Sequence, residues 1–536
     1  MRKCYFTFEQ KHSSLNAIRK YSPFLLAVAI LCVGVWLAYP YYQYYIDPDA
    51  TAYLTISRRY AAGNYDKAIN GYWSPWSTWL TALLIKTGKD TFPAAIIANT
   101  CGAAAFIYSS NALAVRLSVQ RSMQWVLAVT ISLFLCYAVY MQTFSDLWMC
   151  AFLLLGLRLM LAERFTQRPV LWILLGLTGT LGYFAKQYGF HFFMLNTVVC
   201  TFFVTAGNRN LWLKISAISI SVMIVGSLPW IWLLHEKYGI LMTGTAGNLN
   251  LSWYLLGHPL WKDGIDVLLP PVYPDSPYYW EDPWWVNGAT PHFYSSPSLF
   301  VLQLVRLVYN AIKLVQSMNA ISAFYAVIWL LGLCVTFSKK LKAQFNRSQF
   351  VVLLSFLLFP LSFLLINFEP RYIWYTLPLS MILSAWGIQY IQAYLNKPLK
   401  SLVVIIFAAS YLVVPVKDMQ ERFLEGKDAY ITAKNLERQG IKGIFATNVN
   451  SGKDIHFIVR LAYHSGNAYY NMPYQAEHSE LLKELRRYNI RYFYYLGSNK
   501  AGTYVFPDEQ GNSFPVVYRY NNLLVFDLHP SAKVHR

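Results

Sequence analysis

The chain has 536 residues, of which 56% are hydrophobic and 17% aromatic, and only 13% carry a charge. That balance excludes an ordinary soluble protein and predicts a polytopic α-helical membrane protein. The net charge of +19 does not point to nucleic acid, because the basic residues fall in short clusters between apolar runs, as membrane orientation requires.

The N-terminus carries Lys11, Arg19 and Lys20 ahead of the first apolar run, which is followed by Tyr41, Tyr42, Tyr44 and Tyr45 instead of small residues. This pattern predicts an uncleaved anchor. Next comes Asp47-Pro48-Asp49, which has the grammar of a helix start: a capping acid, a proline suited to the first turn, and a second acid at the positive end of the helix dipole. Tyr53, Ile56 and Tyr60 then recur at helical spacing with Arg58 and Arg59 off the stripe, so residues 47–62 read as a helix lying on the membrane surface. Gly63-Asn64 ends it, and Pro75 opens a second surface helix at 74–86.

Apolar runs of near-spanning length number about eleven, at 22–42, 92–115, 123–140, 147–161, 170–185, 190–205, 211–234, 320–337, 350–366, 373–390 and 401–416. With the N-terminus inside, the inner connections collect Arg116, Arg121, Arg164, Arg168, Arg209, Lys214, Lys339, Lys340, Lys342, Arg347, Lys397 and Lys400. The Asp47 stretch, the connection 236–298 and everything after residue 416 are then expected outside. The predicted location is a plasma (inner) membrane, with a cytoplasmic N-terminus and an extracytoplasmic or periplasmic C-terminal part.

The outer connection is rich in aromatics, among them Trp253, Tyr254, Trp261, Tyr278, Tyr279, Trp280, Trp284 and Trp285, with Asp275, Glu281 and Asp282 between them. Such rings either bind sugars through flat faces or anchor the loop at the lipid interface. Residues 299–315 read as a further surface helix. Residues 1–416 thus form the expected membrane domain and 417–536 a small soluble α/β domain, with helices at 429–439 and 477–488, strands at 443–447 and 491–496, and a hairpin turning at Asn521-Asn522. The seven cysteines lie in apolar spans or the N-terminal tail without C-x-x-C spacing, so no disulfide framework or cysteine metal site is expected.

Further charges stand at the outer ends of spans: Asp146 opens the fourth, Lys186 closes the fifth, and Glu369 and Arg371 lie between the ninth and tenth. Charges at membrane depth usually face a cavity and mark a substrate path. Each also has a structural alternative, since Asp47 and Asp146 can serve as helix-start acids, Lys186 can snorkel, and Arg371 can pair with Glu369. Carboxylates at 49 and 146 beside cations at 186 and 371 suit a lipid-phosphate leaving group and a general base on an acceptor hydroxyl. One displacement with one base would invert the anomeric carbon.

These residues carry a resemblance. The chain resembles the polyprenyl-phosphate-dependent glycosyltransferases of the GT-C fold, family 39, which holds the protein O-mannosyltransferases and aminoarabinose transferases. The family's acid-acid-x-x-Tyr stretch looks like Asp49-Ala50-Thr51-Ala52-Tyr53, and its second surface helix looks like Ser74-Pro75-Trp76. The similarity continues through Asp146, Phe184-Ala185-Lys186, and Glu369-Pro370-Arg371-Tyr372 with Pro378. Ala50 replaces the family's second acid, and its His-Pro-Pro is absent.

The resemblance implies transfer of a hexose or pentose from a polyprenyl-phosphate donor to a protein, lipid or polysaccharide acceptor outside the cytoplasm. Asp49 would be the base, with Asp47 in reserve and Asp146 in support. Lys186, Arg371 and Tyr372 would hold the donor phosphate, and Tyr53, Trp73, Trp76 and Glu369 would bind substrate. No cofactor is required by these roles, and a divalent metal ion stays an open alternative. The competing readings are a transporter or flippase of lipid-linked sugars, which should show internal repeats, and an oligosaccharide polymerase or ligase.

Overall fold

The computed structural model describes residues 2–141, 144–256, 267–284, 292–343, 345–392, 394–449, 452–472, 476–497 and 504–529, with side chains from Tyr21 onward. Among these, seven helices are long and apolar enough to cross a membrane: Tyr21–Tyr42, Thr91–Arg116, Arg121–Tyr140, Arg209–Tyr238, Pro297–Ile321, Arg347–Leu365 and Lys397–Glu421. The chain is an integral membrane protein built mostly of helices.

This set differs from the eleven spans expected. Six of the seven coincide with expected runs, while five other expected runs form shorter helices, Asp146–Met160, Pro169–Ala185, Tyr188–Val204, Ala323–Phe337 and Leu377–Gln392. At 15 to 17 residues these rise only about 22–26 Å, less than the apolar core of a bilayer. The seventh long helix falls where a surface helix is predicted. The apolar stripe of 299–315 continues to Ile321, and Ser322 makes the break, its hydroxyl accepting the Phe324 N–H at 3.2 Å. Gln303 and Asn310 on this helix donate to the Leu365 and Leu364 carbonyls at 2.9 and 2.8 Å, serving the end of a 3-10 segment that the sequence pattern reads as continuous span.

The last part of the chain carries a five-stranded sheet, β1 Phe445–Thr447, β2 Tyr469–Tyr470, β3 Tyr492–Leu496, β4 Val516–Tyr520 and β5 Leu523–Asp527. Its order is β2-β1-β3-β5-β4, with β1 parallel to β2 and β3, and β5 antiparallel to β3 and β4. The β4–β5 hairpin turns at Asn521, in the left-handed region at φ 50°, and Asn522. The helix Gly452–Ser465 and strand β2 have no counterpart among the predicted elements.

Two sets of contacts bring this sheet domain onto one end of the membrane helices. The outer connection joins the edge of the sheet, where Leu269 and Asn471 exchange backbone hydrogen bonds at 2.7 and 3.0 Å and the Tyr469 N–H donates to the Pro277 carbonyl at 2.8 Å. At the other seam the Tyr42 hydroxyl donates to the Met419 carbonyl at 2.6 Å, and the Leu424 N–H donates to the Tyr41 carbonyl at 3.2 Å. Gly426 lies in that seam at φ +88°, and a Cβ there would strike the Tyr44 carbonyl. Gly426→Ala is therefore expected to destabilise the protein by about 1–3 kcal/mol through backbone strain and the clash, read as a lowered melting temperature in detergent.

Candidate active site

The Pro48–Ala62 helix starts as the sequence predicts: the Asp47 carboxylate accepts the Asp49 N–H at 3.0 Å, Pro48 occupies the first turn, and Gly63 closes the helix at φ 80°. It does not lie open on a surface. Ala50 to Ser57, Arg59 and Tyr60 are buried, because the outer connection and the sheet domain close over it. The predicted stripe of Tyr53, Ile56 and Tyr60 is therefore only part of its buried face.

The turn before Asp49 is held from three directions. Arg460, on the Gly452–Ser465 helix, donates from Nε to the Ile46 carbonyl at 2.6 Å and from Nη2 to Glu425 at 2.8 Å. The Tyr278 hydroxyl donates to the Pro48 carbonyl at 3.1 Å, and the Thr51 hydroxyl to the same oxygen at 2.7 Å. The Asp49 carboxylate consequently has a fixed direction. Its Oδ1 accepts the Trp280 indole N–H at 3.2 Å, and its Oδ2 lies 3.2 Å from Arg371 Nη2.

Arg371 is the second residue of the 3-10 segment Pro370–Thr376, and its Nε lies 2.6 Å from Glu369 Oε2, so one guanidinium is shared by two carboxylates. The Tyr372 hydroxyl donates to Glu369 at 3.3 Å. A second ion pair joins Lys186 to the buried Asp146, and the Lys186 ammonium lies 5.0 Å from the centre of the Tyr372 ring. Tyr372 thus stands between the two charge groups. Residues 49, 146, 186, 369, 371 and 372, from four separate stretches of the chain, meet at one place.

Beside Asp49 and Arg371 opens a cavity of about 440 Å³, lined by Asp49, Tyr72, Asn250, Trp253, Tyr254, Trp280, Arg306, Glu369, Arg371 and Tyr372. Trp253 stacks on Trp280 at 4.8 Å, and Tyr72 donates to Asn250 at 3.1 Å. The Arg306 guanidinium lies 5.4 Å from the Tyr254 ring and donates to the Ile366 carbonyl, both neutral partners. Two guanidinium groups, two carboxylates and five aromatic side chains can hold a phosphate, orient a sugar and accept a proton.

Tyr53, Trp73 and Trp76, expected to bind substrate, do not line this cavity. Tyr53 packs between Trp73 and Phe144 at 5.1 and 6.0 Å, the Trp73 indole donates to the Trp280 carbonyl at 3.2 Å, and Trp76 lies against Trp148 and Phe152. Their rings form the wall behind the site, because the outer connection supplies the rings that face the space. Tyr72, Asn250 and Arg306 escape a reading of sequence, and Trp253, Tyr254 and Trp280 are visible there only as members of an aromatic-rich loop. Among the described residues no group of three His, Cys, Asp or Glu stands together that could hold a metal ion.

The loop bearing Trp280 is fixed from behind. Arg59, 3% exposed, pairs with Glu281, 1% exposed, and donates to Ser276 at 2.9 Å and Asp275 at 3.3 Å. Asn70 donates to the Glu281 carbonyl at 2.7 Å, while Tyr238 and Lys237 hold Asp282 at 2.6 and 3.1 Å. Burial pushes the Glu281 carboxyl up to about 7, against the opposing pull of Arg59.

Burial, and then the neighbouring Asp49 charge, push Asp47 up to about 6, against the pull of Arg371. The folded chain therefore holds a proton on Asp47 between about pH 4 and pH 6 that the unfolded chain releases. A raised acid pKa means stability falls as pH rises through that window. The melting temperature of the wild type should drop more steeply across it than that of Asp47→Asn, which keeps the cap and cannot titrate.

No protein-family model matches the chain, and no curated protein matches it either. Solved structures do. ArnT from Cupriavidus metallidurans in the apo state superposes with a TM-score of 0.56 at 13% identity, over 94% of this chain and 97% of that one. The same protein bound to undecaprenyl phosphate gives 0.53 at 13% identity, over 94% and 98%. The chain has the GT-C fold of ArnT.

Proposed function

We propose that this chain is an integral membrane glycosyltransferase that moves a hexose or pentose from a polyprenyl-phosphate donor to an acceptor hydroxyl on the extracytoplasmic face, with inversion at the anomeric carbon. The observation that carries this reading is the cavity in which Asp49, fixed by Trp280 and Arg371, faces the same space as Arg306 and a set of aromatic rings. The shared fold supports it, since ArnT has been crystallised with undecaprenyl phosphate bound.

In this reading Asp49 takes the proton of the acceptor hydroxyl, whose oxygen attacks the anomeric carbon while the bond to the phosphate oxygen breaks. The electron pair leaves with the phosphate, and Arg371, Arg306 and, across Tyr372, Lys186 stabilise that charge. Arg371 begins shared between Asp49 and Glu369, and an arriving phosphate competes for it, leaving Asp49 freer to accept a proton. Asp146 keeps Lys186 in place, and Asp47 is the reserve base. Trp253, Trp280, Tyr72 and Tyr254 offer flat faces to the sugar ring. The acceptor is a protein, a lipid or a polysaccharide. Residues 1–416 form the membrane-bound catalytic part with an inner-membrane address and a cytoplasmic N-terminus, and 417–536 the extracytoplasmic domain.

The test supplies purified full-length protein with labelled polyprenyl-phosphate monosaccharides and envelope extracts as acceptors. Label is expected to move from lipid to a non-carrier product. Absence of transfer with every donor, together with passage of labelled carrier lipid across vesicles, would replace this reading with transport.

A further inference from the structure

A second cavity, of about 200 Å³, opens on another side of the Pro48–Ala62 helix, between that helix, the 273–277 turn and the Gly452–Ser465 helix. Arg58 stands in its lining. Its guanidinium lies 4.5 Å from the centre of the Tyr463 ring, donates to the Tyr463 hydroxyl at 2.7 Å and to the Thr91 hydroxyl at 3.0 Å. Both partners, Tyr463 and Thr91, are neutral, so the charge is held in place without being cancelled.

The surrounding charges do not cancel it either. Arg59 is matched by Glu281 and Asp275, and Lys67 shares Asp275 at 3.5 Å, which leaves the positive excess at Arg58. Arg59 also lines the cavity, and its buried Nε has no hydrogen-bond partner in the protein. A fixed guanidinium whose partners are all neutral is the arrangement that phosphate oxygens satisfy through charge-assisted hydrogen bonds.

The position selects the source of the phosphate. Thr91 is the first residue of a helix long and apolar enough to cross a membrane, so Arg58 stands at the level of one end of that span. Lipid headgroups occupy that level. We propose that this cavity, separate from the Asp49 cavity, binds the anionic phosphate monoester of a membrane lipid headgroup. The inference goes beyond the transferase reading and stands or falls without it.

The test titrates full-length protein in detergent with dihexanoyl phosphatidic acid, inorganic phosphate and dihexanoyl phosphatidylcholine, by calorimetry. Saturable binding of phosphatidic acid to the wild type is expected, weakened about tenfold or more in Arg58→Gln, the scale of one charge-assisted hydrogen bond, and unchanged in Arg306→Gln. Tyr463→Phe, which removes one of the bonds holding Arg58, should weaken it by a smaller factor and serves if Arg58→Gln does not fold. Inorganic phosphate binding as tightly with the same dependence on Arg58 would overturn the lipid source, and equal binding of phosphatidylcholine would overturn recognition of charge. Unchanged affinity in both Arg58→Gln and Tyr463→Phe, loss in Arg306→Gln instead, or no saturable binding would overturn the site.

Discussion

Asp49→Asn is expected to lower sugar transfer by about two to four orders of magnitude while the protein stays folded and still binds donor. Asn keeps the size of the side chain and an oxygen for the Trp280 indole N–H, which sits 3.2 Å from Asp49 Oδ1. Arg371 keeps Glu369 at 2.6 Å, so the guanidinium remains in place. What disappears is the proton acceptor. The loss should therefore fall on kcat, with the KM for donor little changed, in single-turnover and steady-state assays with labelled donor. Equal activity of Asp49→Asn and wild type would make Asp49 a helix-start acid only, and the same assay on Asp47→Asn would then identify the base.

Glu281→Ala is expected to cost about 3–5 kcal/mol of stability, the range for removing one partner of a buried ion pair. Arg59 is 3% exposed and its guanidinium cannot shed its proton, so without Glu281 its remaining carboxylate is Asp275, which is 52% exposed. Arg59→Met should cost less, because Glu281, already pushed up to about 7, becomes neutral when its cation goes. The double variant Arg59→Met/Glu281→Leu should recover a good part of the loss. Melting curves in detergent at pH 7 and below read all three. Equal losses for the two single variants would show that the charge asymmetry is absent.

The pair also bears on the site. Glu281 follows Trp280, the residue that touches Asp49, and Asn70 and Trp73 hold the intervening backbone. Destabilising the pair should loosen Trp280 before the membrane helices melt, which tryptophan fluorescence would follow.

Much of this molecule is set by its sequence alone, because each such feature is a local physical requirement. Long apolar runs need a bilayer, so composition gives the membrane class. An acid-proline-acid triplet needs no distant partner to start a helix, and Asp47 caps as its position demands. The hairpin at Asn521 follows from backbone preferences of two residues, and Asp146, Lys186, Glu369 and Arg371 are conspicuous because charge at membrane depth is costly.

Tertiary structure decided the rest, for reasons of distance along the chain. The ion pair between Asp49 and Arg371 joins residues 322 positions apart, and nothing in either neighbourhood specifies the other. The Pro48–Ala62 helix is amphipathic by its own pattern and buried only because Arg460, Tyr278 and Glu281 come to it from 222 to 414 positions away. The choice between anchoring and substrate contact for the loop aromatics rests on the side to which each ring turns, as Trp253 and Trp280 turn to the cavity and Tyr279 into the sheet core. Arg306 is one of two cations, with Lys313, on an apolar helix, and only the packing of that helix beside Tyr254 makes it part of the site.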